Sequence, residues 1–200
     1  MWFPETGAVS RMVQLPGGDT VETGIVGNDG VVGLPLALGV PNGVGHCCVH
    51  IGGEALVISA ADFRDHVRSE RSPLFDALLS YTNLFILTLA QLTACHCLHR
   101  IDQRLCRCLL MLDDHARGNQ LRLTHDTLAE FLGVHRPSIT YAVQALVSEG
   151  AIASERRRII ISDRAALLRH VCECYAIIRS TTKREISRLA AELNGLGMNA

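Results

Sequence analysis

Between Thr93 and Leu110 the chain reads TACHCLHRIDQRLCRCLL, four cysteines and two histidines within eighteen residues. Thiolate and imidazole are zinc ligands, and a thiol of low pKa is the reactive group of a redox sensor. Spacing argues against a shared site within this stretch. Helical residues two apart are separated by about 200°, so Cys95 and Cys97 point to opposite faces of a helix. The same holds for Cys106 with Cys108, and for Cys172 with Cys174. Adjacent Cys47 and Cys48 diverge in the same way on a strand. None of these pairs is the Cys-x-x-Cys of structural zinc sites. The expectation is that the eight cysteines pack as small hydrophobes and that no metal is bound. Two smaller constellations remain. Cys95 and His99 lie one helical turn apart, and His46, Cys48 and His50 alternate onto one strand face. The latter three spread over roughly 13 Å, so at most two could reach one ion.

A second chemistry is carried by LTHDTLAEFLGVHRPSITYAVQALVSEGAI, residues 123–152. Thr124 suits an N-cap, and Leu128, Ala129 and Leu132 form the apolar face of a short helix. Gly133 permits a left-handed turn, Val134 plugs the gap between helices, and Pro137 suits the opening of a second helix. Ile139, Val143, Leu146 and Val147 are expected to face its core. This is the helix-turn-helix pattern, in which the second helix enters the major groove of double-stranded DNA. Candidate contacts are Thr124, His125, Arg136, Pro137, Ser138, Thr140, Tyr141 and Gln144. Arg can read guanine bidentately and Gln adenine, while Ser or Thr can reach phosphates or bases. A β-hairpin is expected next, with Arg156, Arg157 and Arg158 at or near its tip. A basic hairpin beside a helix-turn-helix is a wing, and its arginines suit backbone phosphates. The structural alternatives are a helical hairpin packed for stability alone and a solvated arginine run.

These segments need a scaffold. Residues 1 to about 60 read as short strands, broken by Gly17-Gly18-Asp19 and Asn28-Asp29-Gly30. Even spacing of such strands suggests a barrel, roll or jelly roll. Ser59 caps a short helix, and Ser72-Pro73 opens a long one. Along it Leu74, Leu78, Tyr81, Phe85, Thr88, Leu92 and Cys95 recur at spacings of three and four, a seam expected to form a dimer interface. The other faces are apolar too, through Leu79, Leu84, Ile86, Leu87 and Leu89, which implies burial on several sides. A further helix runs from about Ile101 to His115, with Asp102 as its expected N-cap. Its Leu105, Leu109 and Leu112 face inward, with Arg104 and Arg107 free for solvent or DNA backbone. A C-terminal helix closes the chain.

Composition sets outer limits. The 200 residues are 48% hydrophobic with a formal charge of -1, the balance of a soluble globular protein. The apolar runs are broken by Thr, Gln and Asn short of the roughly 20 residues of a spanning helix. No basic-then-apolar leader opens the chain, so a cytoplasmic location with reduced thiols is expected. Residues 1–99 hold four basic and nine acidic residues, a balance of -5, and the remainder holds 15 basic and 11 acidic, a balance of +4. A basic back half is suited to a polyanion. No nucleophile–base constellation or phosphate-binding glycine loop suggests an enzyme.

Taken together, WFPETGAVSRMVQL, GNDGVVGLPLALG, GGEALVISAADF, LHRIDQRLCRCLLM and segment 123–152 resemble the Crp/Fnr family of bacterial transcription regulators. The resemblance implies an α+β chain: a partial β-roll like the cyclic-nucleotide-binding jelly roll (1–71), a long dimerisation helix (72–99) and a winged helix-turn-helix (100–200). It implies a homodimer on a palindromic operator, recruiting or blocking RNA polymerase, with no membrane partner. Three departures qualify it. Segments like WFPETG normally lie well inside the roll, so the chain is expected to start partway through one. No acidic residue follows Gly33 to hold a ribose, and no Arg lies between Arg11 and Arg64 to hold a phosphate, which argues against a cyclic nucleotide. Arg136 matches the family's DNA-contacting Arg, but Pro137 and Tyr141 replace a Glu and an Arg. Nor do residues 1–46 hold the cysteines of the family's iron–sulfur members, so no cofactor is expected. The alternatives are a metal- or thiol-responsive sensor with the same DNA output, and a non-DNA-binding, dominant-negative interaction protein.

Overall fold

A computed structural model describes residues 1–40, 43, 45–68 and 72–195 of this α+β chain. The boundary expected at residue 71 and part of the effector stretch (41, 42 and 44) lie outside the described residues. The front half is built of two small antiparallel sheets. Strand β1 (Trp2–Pro4) pairs with β5 (Ala55–Val57). Strand β2 (Ala8–Gln14) lies between β3 (Thr20–Val26) and β4 (His46–Ile51). Ala8, Ser10 and Met12 of β2 are buried while their neighbours are not, the alternation a strand with one covered face demands. Helix α1 (Leu34–Ala37) buries Leu34 and Ala37 in the core of the roll. Helix α2 (Ala60–Asp62), capped by the Ser59 side chain, runs into a π-helical turn over Phe63–Arg68.

Helix α3 (Pro73–Leu98) starts as its sequence dictates, with Ser72 accepting from the Phe75 N–H and Pro73 in the first turn. Its faces are distributed differently from the expected seam. Leu78, Phe85, Leu92 and Cys95 are buried within their own chain, Leu78 and Phe85 in the core of the roll. They are therefore already covered, and cannot also be the surface for a second copy. The reason is geometric: the roll and the C-terminal helix α8 (Cys174–Gly195) both pack on that side of α3. The outward side carries Leu79, Asn83, Ile86, Ala90, Thr93 and Cys97, also spaced by four and three, flanked by Leu87 and Ala94. Of the expected seam, Tyr81 and Thr88 are half-buried and Leu74 is exposed. By length and composition α3 is also apolar enough to cross a membrane, contrary to the expectation from its polar interruptions; in the fold it carries buried core residues.

The back half is a helical bundle with a small sheet. Helix α4 (Ile101–Asp113) is followed by β6 (Gln120–Leu121), α5 (His125–Leu132) and α6 (Arg136–Ser148). The hairpin β7 (Ile152–Glu155) and β8 (Arg158–Ile161) adds to β6 in the order β6-β8-β7, and α7 (Arg164–His170) precedes α8. One apolar cluster runs through α4, α5 and α6 and takes in Ala8 and Met12 of the roll. The roll and the helical half thus share a core.

Helix α4 lies at the centre of that half, contacted by α5, α6, α7 and α8, and this corrects two expectations. Arg104 and Arg107 are buried rather than free for solvent or DNA, because α4 has almost no outer face. The Arg104 guanidinium donates to the Leu132 carbonyl at the end of α5, where the helix dipole is negative. The N-cap of α4 is Arg100, whose N–H is accepted by the Gln103 side chain at 3.2 Å; Asp102 sits in the first turn and pairs with Arg100.

Candidate nucleic-acid interface

The turn between α5 and α6 is built locally. The Thr124 hydroxyl accepts from the Thr127 N–H at 3.0 Å, satisfying a donor at the start of α5. Gly133 ends α5 at φ 59, a left-handed conformation, and a Cβ there would lie 3.2 Å from Val21 of β3. Leu128, Phe131, Leu132, Ile139, Val143 and Leu146 then lock the two helices together. Val134 packs against this cluster as expected, whereas Val147 is 41% exposed and belongs to the outer face of α6.

That outer face is the candidate interface. Arg136, Pro137, Tyr141 and Gln144 are exposed, and Ser138 and Thr140 are half-buried. Tyr141 is 75% exposed, an aromatic ring with no core role. Arg136 at the start of α6 is held at 3.1 Å by Asp126 of α5, an exposed pair that DNA would have to displace. Nothing local in the sequence signals Asp126, since the pair reaches across the turn. Thr140 is less available than its position on α6 implies. Its hydroxyl donates to the Arg136 carbonyl at 3.2 Å and lies 3.1 Å from His125 Nδ1. His125 in turn lies 3.5 Å from Ser154 of β7 through Nε2, linking both helices to the wing. At the wing tip Arg156 and Arg157 occupy the turn between Glu155 and Arg158, which face each other across the hairpin. Arg156 and Arg157 are exposed, while Arg158 is half-buried and lies 3.9 Å from Glu155.

Residues 103–170, which hold α4 to α7, match the Crp-like helix-turn-helix domain. The chain has a Crp/Fnr-type fold with a Crp-like helix-turn-helix domain. Among solved structures it is similar to a CRP-family transcriptional regulator from Thermus thermophilus, with a TM-score of 0.63 and 22% identity, covering 84% of this chain and 86% of that one. It is also similar to FixK2 from Bradyrhizobium japonicum, with a TM-score of 0.62 and 17% identity, covering 86% of each. No curated protein sequence matches it.

Within this Crp/Fnr fold the second cysteine–histidine constellation does not assemble. His46 is exposed, Cys48 packs against the shared core, and His50 sets its ring edge against Phe131 at 4.5 Å. Burial there pushes the His50 pKa down. Cys95 and His99 do come together, with two partners considered below.

Proposed function

We propose that this Crp/Fnr-type chain is a cytoplasmic, sequence-specific DNA-binding transcription regulator, not an enzyme, working as a homodimer on a palindromic operator. The observation that carries this reading is the exposed face of α6. It presents Arg136, Tyr141 and Gln144 in a Crp-like domain, flanked by the wing arginines Arg156 and Arg157. Arg136 and Gln144 are the reading groups, Tyr141 suits contact with a thymine methyl, and the wing supplies phosphate contacts. The outward stripe of α3 supplies the dimer seam. Leu79, Ile86 and Ala90 in 3-4 spacing, interrupted by Asn83, form a coiled-coil pattern in which one polar position sets register. RNA polymerase is the further partner such a regulator needs.

In this reading the regulator takes no cyclic nucleotide, because no acidic residue directly follows Gly33 and no Arg lies between Arg11 and Arg64. The roll encloses about 20 Å³ between Val9, Val26, Val31, Leu34 and Phe85, and a more open groove of about 310 Å³ beside it runs past Arg11, Leu34, Pro35 and Ile86. Phe85 of α3 lines both spaces, and the Arg11 guanidinium lies over its ring at 5.5 Å.

Selection of bound sites from random duplex DNA tests the proposal. A palindromic site is the expected product, and no enrichment overturns the reading. Arg136→Ala should cost about 1–3 kcal/mol at one base pair per half-site and relax preference there. Unchanged site preference would show that α6 is not the recognition helix.

A further inference from the structure

Cys95 and His99 stand one turn apart at the C-terminal end of α3, and the chain returns to them more than seventy residues later. Cys172 lies in the break between α7 and α8, and Cys174 is the first residue of α8. The sequence spacing, taken as helical, sends Cys172 and Cys174 to opposite faces. Because Cys172 is outside the helix, both thiols instead turn toward α3. The ligand atoms of Cys95, His99, Cys172 and Cys174 all lie within 4.8 Å of one another. The three cysteines are buried and form a cluster separate from both apolar cores.

We propose that Cys95, His99, Cys172 and Cys174 form a four-ligand zinc site that clasps the end of α3 to the start of α8. Three thiolates and one imidazole are an established ligand set for a closed structural zinc site. Geometry supports it. Ligands at about 2.3 Å from a tetrahedral ion stand ~3.8 Å from each other. Here Cys95 Sγ lies 3.5 Å from Cys172 Sγ, and Cys174 Sγ lies 3.6 Å from His99 Nδ1.

The surroundings are those of a metal site rather than of packed thiols. His99 turns Nδ1 to the sulfurs while its Nε2 lies 3.2 Å from Glu173, the carboxylate–histidine arrangement that orients a ligating imidazole. The Gln91 side-chain amide donates to Cys174 Sγ at 3.0 Å. Charge also favours it. Arg104 and Arg107 are buried, and neither is within ion-pair distance of a carboxylate among the described residues. Both act electrostatically on Cys95. Three thiolates around one divalent ion carry a net charge of about -1, which offsets part of the positive charge of the two buried guanidiniums. Thiolate is the form that ligates.

The test needs no DNA, so it stands apart from the regulator reading. The full chain, reduced and stripped of metal, is titrated with Co(II). One equivalent should give tetrahedral d–d bands and thiolate-to-cobalt charge transfer, and one equivalent of zinc should abolish both and raise Tm. Cys95→Ser and Cys172→Ser should lose the cobalt spectrum, and Glu173→Gln should weaken zinc binding about 10-fold or more. Cys97→Ser, on the exposed face of the same turn, should keep it. His99→Cys preserves four ligands and should retain a stoichiometric ion, which guards against serine variants that fail to fold. Three results overturn the proposal: no stoichiometric uptake by the folded, reduced chain; equal loss in Cys97→Ser; or failure of zinc to raise Tm while Cys95 and Cys172, held in air without reductant, join in a disulfide, their two hydrogens passing to dioxygen. The last would make the cluster a thiol switch.

Discussion

Arg157 holds the wing tip at φ 62, the one non-glycine with positive φ among the described residues. A side chain in that conformation costs roughly 1 kcal/mol relative to glycine. Because its side chain is exposed, packing does not repay the strain. Arg157→Gly should therefore raise stability by up to about 1 kcal/mol while weakening DNA binding for every sequence alike. The slope of log affinity against log salt should fall by about 1 if a phosphate contact is lost. Thermal unfolding and binding across a salt series read the two effects separately; an unchanged salt slope would remove Arg157 from the interface. Residues whose roles are fixed by near neighbours were legible in the sequence: Thr124 as a cap, Gly133 as a left-handed turn, the arginines as a hairpin tip. Arg104, Arg107 and Cys172 were not. Their surroundings come from segments far away in the chain, and periodicity within one helix says nothing of what covers it.

Helix α3 shows the same limit at the scale of an element. An apolar residue on every face announces burial on several sides, but not which side meets which partner. Leu78 and Phe85 face the roll and Leu92 is buried on the same side, while Leu79 and Ile86 are left 38% and 57% exposed. Two classes of substitution should therefore separate. Leu92→Ala removes a buried side chain and should cost about 2–5 kcal/mol of stability. Ile86→Glu alters an exposed position, so the protomer should unfold at nearly the same midpoint, yet its mass in sedimentation equilibrium should fall to that of one chain. A persisting dimer with Ile86→Glu would place the interface elsewhere. The helix-turn-helix and its hairpin were more legible than α3, because their cap, turn and hairpin chemistry is written locally between Thr124 and Ile161.

Over the whole molecule, the acidic front half and the basic back half meet in a shared core. Val21 of β3 lies against the α5–α6 turn, His50 against Phe131, and Glu22 is buried at 5% exposure on the same strand. Burial pushes the Glu22 pKa up to about 7, against the hydrogen bond donated by Ser10 at 2.6 Å and the positive charge of Arg107. A carboxyl whose folded pKa lies above its ordinary value of about 4.5 binds more protons folded than unfolded. Its contribution to stability is therefore present below about 4.5 and is lost as pH rises through about 7, an effect on the order of 3 kcal/mol. His96 acts in the opposite sense. Burial, with Arg104 and Arg107 adding, lowers its pKa to about 4, so stability is lost as pH falls from 6.5 toward 4. The net profile of the chain mixes the two, and a comparison with Glu22→Gln isolates the first. The neutral amide cannot ionise, so the variant should gain on the parent as pH rises from about 5 to about 8, by about 2–3 kcal/mol in chemical denaturation. At pH 4.5, the ordinary carboxyl value, the two chains should differ little. A parent and variant that stay parallel across this range would mean that Glu22 ionises freely, and that the seam between roll and helix-turn-helix admits water.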